Sequence, residues 1–146
     1  MTRLDPSALA ILQTVFGMGL LTFAMAIWMS VTRMPAMKRA GLTLNDAQHT
    51  ADLRPRLDSS ARRVGDNYNH LFEAPTVFYA VALGIVVAGL ADPTYAACAW
   101  AFLGFRVAHS LVQATFNRVP VRIVFYLLSW TALAVMIIRP LLTLHI

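Results

Sequence analysis

The chain reads as an all-α integral membrane protein, a four-transmembrane-helix bundle forming one membrane domain over residues 1–146, on three observations. Hydrophobic residues make up 58% of the sequence and charged residues 13%, about half the charged share of an average soluble domain. A soluble fold of this length has too little interior to hide so much apolar surface. The apolar residues fall into four continuous runs, at about 7–32, 71–91, 94–116 and 121–138, each near the roughly 20 residues that a bilayer core requires. The basic residues, finally, gather between the runs, with Arg106 the exception well inside one.

The first run starts after Asp5-Pro6, an N-cap followed by proline at the first helical position, and is too long for the roughly 7–15-residue core of a signal peptide, so it reads as a retained helix. The second carries Pro75 in its first turns, where a missing N–H costs little. Asp92-Pro93 opens the third as Asp5-Pro6 opens the first, and 117–120 marks the start of the fourth, whose ends carry Arg122 and Arg139. Strands are excluded because the runs are continuous rather than alternating. The intervening 34–66 is the one sizeable polar stretch and is too short for a second domain.

Of twelve Lys and Arg, seven lie between the first two runs (Arg33, Lys38, Arg39, Arg54, Arg56, Arg62 and Arg63) and two between the last two (Arg118 and Arg122). The positive-inside rule places both of those loops in the cytoplasm and both termini outside. The net charge of +5 then describes a membrane face attracted to anionic lipid, with no need for nucleic acid. A single cysteine, Cys98, rules out an intramolecular disulfide and any Cys-rich metal centre, and no paired carboxylates offer a metal site. The methionines between Met18 and Met37 read as packing residues, His70 and His109 as hydrogen-bonded residues rather than haem ligands, and Gly17, Gly84, Gly89 and Gly104 as points of close helix approach. His49 and His145 carry no argument. A small multidrug exporter is disfavoured because the first run holds no carboxylate.

Arg106 sits in the middle of the third run, and Glu73, the only glutamate, opens the second. A charge inside a membrane helix is costly unless it faces a partner or a wet cavity, which makes both functional candidates. Arg106, His109, Ser110 and Gln113 recur at i, i+3, i+4 and i+7, and Asp66, Asn69, His70 and Glu73 do the same, so two polar stripes are expected to face each other with Glu73 and Arg106 as an ion pair. Such a clamp needs no ligand. Asn69, His70, His109, Gln113, Arg122 and Tyr126 add donors beyond what one clamp can use, and arginines with amides suit a carboxylate-bearing, peptide-like anion.

These residues resemble a known family. The string Arg106-Val107-Ala108-His109-Ser110, followed by Asn117-Arg118-Val119-Pro120-Val121-Arg122 and Tyr126, is similar to the same region of the MAPEG proteins, the membrane-associated proteins of eicosanoid and glutathione metabolism. The chain looks like a bacterial-type member nearest the microsomal prostaglandin E synthase branch, and Arg62-Arg63, Asn69, Glu73 and Pro75 resemble the family's basic, Asn, Glu, Pro signature. The resemblance implies a homotrimer binding glutathione between subunits, with Arg63, Asn69, Glu73, Arg106, His109, Gln113 and Tyr126 at the binding site and Arg122 as the catalytic, thiolate-stabilising residue. It implies a transferase or peroxidase acting on lipophilic electrophiles. The chain departs from the pattern in its Asn-to-Glu and Glu-to-Pro spacings, in Gln113 where eicosanoid enzymes tend to carry Tyr, and in Ile123 where the prostaglandin branch has Ser. The alternative is a non-catalytic membrane protein of the same fold, whose polar cluster braces the trimer or binds lipid.

Overall fold

The computed structural model describes residues 5–143; Arg3 and His145 lie outside them. Six α-helices follow in order: α1 (Pro6–Arg39), α2 (Thr50–Leu53), α3 (Ser59–His70), α4 (Ala74–Val87), α5 (Pro93–Ala114) and α6 (Val119–Thr143). Four helical stretches are long and apolar enough to cross a membrane: α1, α3 with α4, α5 and α6.

The expected starts form as the sequence indicates. Asp5 accepts from the backbone N–H groups of Ser7 and Ala8, and Asp92 from that of Tyr95, so each carboxylate satisfies donors that a helix start leaves orphaned. Pro75 stands in the first two positions of α4. The far end of α4 closes on Gly89, whose φ of 68° is open to glycine at little cost, with Leu90 N donating to Ile85 O.

Several boundaries differ from expectation: α6 runs on through Pro140 to Thr143 rather than ending near 138, and two other differences bear on the site. Helix α1 does not stop near residue 32 but continues through Pro35 to Arg39. Its 34 residues span about 51 Å, well beyond a hydrocarbon core of about 30 Å. Burial holds the overhang in helical form: Ala36 and Met37 pack with Leu42, Leu53, Leu57 and Ala61 in a small core of their own. The 34–66 stretch is therefore a compact cap rather than a polar loop. It is closed by surface ion pairs between Arg39 and Asp58 (2.7 Å), Arg54 and Asp66 (2.9 Å), and Arg56 and Asp46 (3.1 Å).

The second span is also broken. Residues 71–73 interrupt it between α3 and α4, with Glu73 at φ −95° and ψ −104°, outside helical geometry. Pro75 contributes to this break, because a proline ring disfavours helical conformation in the chain before it and supplies no N–H to continue a ladder.

The bundle core sits between the helices and is largely apolar, its buried hydroxyls Thr14 and Ser129 donating to carbonyls of their own helices. Ile11 and Met18 of α1, Phe78 of α4, Phe102 of α5, and Leu133 and Met136 of α6 are all fully buried, with the Phe78 and Phe102 rings stacked at 4.4 Å. Helices α5 and α6 form the most extensive pair. Of the glycines expected to permit close approach, Gly17 does so: a Cβ there would lie 2.7 Å from Leu103 Cδ2. Gly84 and Gly104 face open space within the protomer. The outer faces expose Phe16, Leu20, Phe23 and Ile27 along α1, and Leu127, Leu128 and Ile138 along α6, as a lipid-facing surface demands. Hydroxyls along these helices donate to carbonyls one turn back, Thr22 to Met18 and Ser30 to Ala26 among them, so few are left wanting water.

Candidate functional site

The stripe read on α5 is real and buried. Arg106, Ser110 and Gln113 are each 1% exposed and His109 4%. The Arg106 guanidinium lies 5.4 Å from the Phe102 ring centroid and 5.3 Å from that of Tyr126, and its Nε and Nη2 find no acceptor. Ser110 Oγ and Gln113 Oε1 are likewise buried without a partner. A buried guanidinium with two unmet donors, beside an unmet hydroxyl and an amide oxygen that lacks a donor, leaves acceptor and donor needs that this chain does not supply.

The expected Glu73–Arg106 ion pair does not form. Glu73 accepts instead from His70 Nδ1 at 3.0 Å, with its side chain 55% exposed. The break at 71–73 explains the difference, since Glu73 caps α4 rather than continuing the α3 ladder, which turns its side chain away from the bundle interior. Two more members of that stripe also turn away from the interior: Asn69 is exposed, and Asp66 is tied to Arg54 in the cap.

What α3 does present inward is Asn67, fully buried, with neither amide atom partnered. It was legible in principle, because it lies three residues after Val64 and four before Leu71, both buried, and so is the polar member of an apolar face. The His70 ring meets that of His109 edge-on at 6.2 Å, and His109 in turn lies 6.2 Å from Tyr126, which links α3, α5 and α6. With His70 opposite His109 on helices of opposite direction, the preceding turn of α3, with Asn67, lies beside the following turn of α5, with Gln113.

Arg122 stands in the first turns of α6, half-buried, with Nη1 donating to Asn117 Oδ1 at 2.9 Å. Asn117, which the sequence marked only as a helix boundary, adopts φ 49° in the α5–α6 turn, a conformation asparagine tolerates better than most residues. Arg63, half-buried on α3, has an unpartnered Nε. The polar residues thus converge at the end of the bundle where the cap and the α5–α6 turn lie. Among the described residues no three His, Cys, Asp or Glu side chains come together as a metal set.

The MAPEG family model matches residues 11–142, nearly the whole chain. The chain belongs to the MAPEG family. The match takes in the four membrane-length helices, the cap and every candidate site residue of this MAPEG chain. No curated protein and no solved structure gives a significant match.

Proposed function

We propose that this MAPEG protein binds glutathione between neighbouring subunits of a homotrimer and uses it as cosubstrate in a transferase or peroxidase reaction on lipophilic electrophiles. The observation that carries the proposal is the Arg106 guanidinium, buried with two donors unmet beside Ser110 and Gln113. Glutathione, with two carboxylates and two peptide groups, offers acceptors for Arg106 and an N–H donor for Gln113 Oε1.

Arg106, Gln113 and His109 would hold the amide and carboxylate groups, and Arg63, Asn69 and the exposed Glu73 would act at the rim, where a neighbouring subunit approaches. Tyr126 buttresses the Arg106 guanidinium with its ring face. Arg122 is the catalytic candidate. A free thiol has a pKa of about 8.5, and a guanidinium beside it in a dry site favours the thiolate. The N-terminal end of α6 adds a partial positive charge in the same direction.

The thiolate then forms a sulfur–carbon bond to the electrophile, whose leaving group departs with the bonding electrons. With a hydroperoxide, the sulfur attacks the O–O bond and releases an alcohol, and a second glutathione closes the disulfide and releases water. The lipophilic partner reaches the sulfur from the bilayer, the basic end faces the cytoplasm, and both termini face outward. The resemblance to the prostaglandin E synthase branch supports the placement of Arg122.

One observation favours the alternative of a non-catalytic brace: Arg122 already donates to Asn117, and Ile123 follows it in place of a hydroxyl residue. A single titration separates the two. Glutathione added to the purified protein should bind saturably with a thiolate ultraviolet signal, and Arg122→Ala should abolish that signal and lower turnover on the order of 100-fold. Absence of binding at millimolar glutathione would leave the brace standing.

A further inference from the structure

The lipid-facing stripe of α1 is longer than the bilayer it faces. It starts at Leu9 and passes through Phe16, Phe23, Ile27 and Val31 to Met34, all between 49% and 75% exposed. Steps of seven, four and three residues keep them on one helical face. At 1.5 Å per residue the stripe runs about 38 Å, against about 30 Å of hydrocarbon. A stripe of that length tilts, or carries its excess into the headgroup region. The next position on the same face is Lys38, four residues after Met34, exposed and in no ion pair among the described residues.

At that end the stripe meets a groove between the α1 overhang and the start of the cap. Its volume is about 720 Å³, and Met34, Met37, Lys38, Leu42, Thr43 and Leu44 line it. Met37 and Leu42 are buried, whereas Met34 and Leu44 are 53% and 70% exposed. Asp46, the nearest carboxylate in the sequence, is already engaged by Thr43 and Arg56, which leaves Lys38 as the uncommitted charge. Pro35 supplies no N–H to the Val31 carbonyl, so α1 bends most readily where it leaves the hydrocarbon. A single exposed leucine means little. An apolar groove that continues a lipid-facing stripe and ends at a lysine has the amphipathic character of an interfacial surface.

We infer that this groove lies in the headgroup region of the protein's own bilayer and takes an anionic phospholipid, its phosphate on Lys38 and its upper acyl chain along Met34, Met37 and Leu44. Continuity with the lipid-facing face identifies the occupant as lipid, and the uncommitted lysine selects the anionic class. The inference rests on α1 as a membrane span and is independent of glutathione binding. Occupation ties the cap to the membrane plane, because Leu42 of the groove packs with Leu53 and Leu57 in the cap's own core.

The test places nitroxide labels on the full chain in a Cys98→Ala background, since Cys98 is the only cysteine. Met34→Cys, Leu44→Cys and, as an exposed reference in the cap, Gln48→Cys are labelled singly and reconstituted in phosphatidylcholine with or without phosphatidylglycerol. Power saturation with oxygen, which concentrates in lipid, and with a water-soluble nickel chelate reads the depth of each label. Labels at 34 and 44 should favour oxygen, at an immersion of about 5–10 Å, while the label at 48 favours nickel. Removing phosphatidylglycerol should shift the label at 44 toward water, and Lys38→Gln should abolish that shift. Position 44 serves by itself should a label at 34 disturb α1, because Leu44 lies on the surface. Nickel access at 34 and 44 would overturn the proposal by placing the groove in water. Exclusion of both reagents would overturn it in favour of a second copy of the chain over the groove. Immersion indifferent to phosphatidylglycerol and to Lys38→Gln would remove the headgroup contact and the proposal with it.

Discussion

Arg106 poses the energetic question at the residue scale. Removing a guanidinium from water costs several kcal/mol, and the ring faces of Phe102 and Tyr126 return about 2 kcal/mol each when desolvated. The remainder calls for an acceptor from outside the protomer, which argues for a ligand over a self-contained clamp. Arg106→Met, which keeps the length and removes the unmet donors, is therefore expected to hold or raise the thermal midpoint in detergent by a few degrees. The same change should weaken glutathione binding about tenfold or more. A fall of several degrees with glutathione affinity intact would assign Arg106 to structure alone. The α5 half of this cluster was legible in the sequence because i, i+3, i+4, i+7 spacing within an unbroken helix fixes a face. The α3 half was misread because its inward face was set by Glu73, which lies beyond a break in the helix and so does not share the α3 register. Asn69 and Glu73 were placed inward and lie outward, and Asn67, two positions away from Asn69, is the buried amide.

Helix limits followed local chemistry wherever a cap decided them and departed from it wherever tertiary burial did. Asp5 and Asp92 cap as read; the continuation of α1 past Pro35 could not be read, because it depends on Ala36 and Met37 meeting Leu53, Leu57 and Ala61 far along the chain. The cap that makes this possible is held by carboxylates whose acidity is raised. The Ser60 hydroxyl, the Ala61 N–H and the Arg39 guanidinium hold Asp58 well below its ordinary pKa of 3.8, and Thr43, through its hydroxyl and its N–H, with Arg56, does the same for Asp46. A carboxylate whose folded pKa is depressed contributes stability above its unfolded pKa and loses it as pH falls toward the folded value. Amide exchange in 43–61 should hence be independent of pH-linked opening above about pH 5, after correction for intrinsic rates, and open progressively below about pH 4, while α5 stays protected. Loss of protection in the cap between pH 5 and 8 would refute this assignment of its stability.

The whole molecule separates its chemistry by end. At one end stand the cap, the α5–α6 turn, Arg106 and Arg122; at the other, Asp92 both caps α5 and accepts from Arg139 Nη1 at 2.6 Å, with the Arg139 guanidinium 4.5 Å from the Tyr95 ring centroid. The four-span architecture was readable because a bilayer demands long apolar runs and the chain supplies them between polar breaks. Arg139 was likewise read as an end marker of the fourth run, but its role as a staple between α6 and the start of α5 needed the fold, since Asp92 lies 47 positions away. A division by end makes the two sets of interactions independently removable, because effects of sites with no shared partners add. Arg139→Gln removes the charge from the staple and leaves the Arg106 cluster, the proposed glutathione site, untouched. Its thermal midpoint is expected to fall by about 2–4 °C, with glutathione affinity and the Arg122-dependent thiolate signal within error of wild type. Weakened glutathione binding in this variant would mean that the ends are coupled through α5 and α6, so that the staple sets the geometry of Arg106 along the helix that carries both Tyr95 and the site.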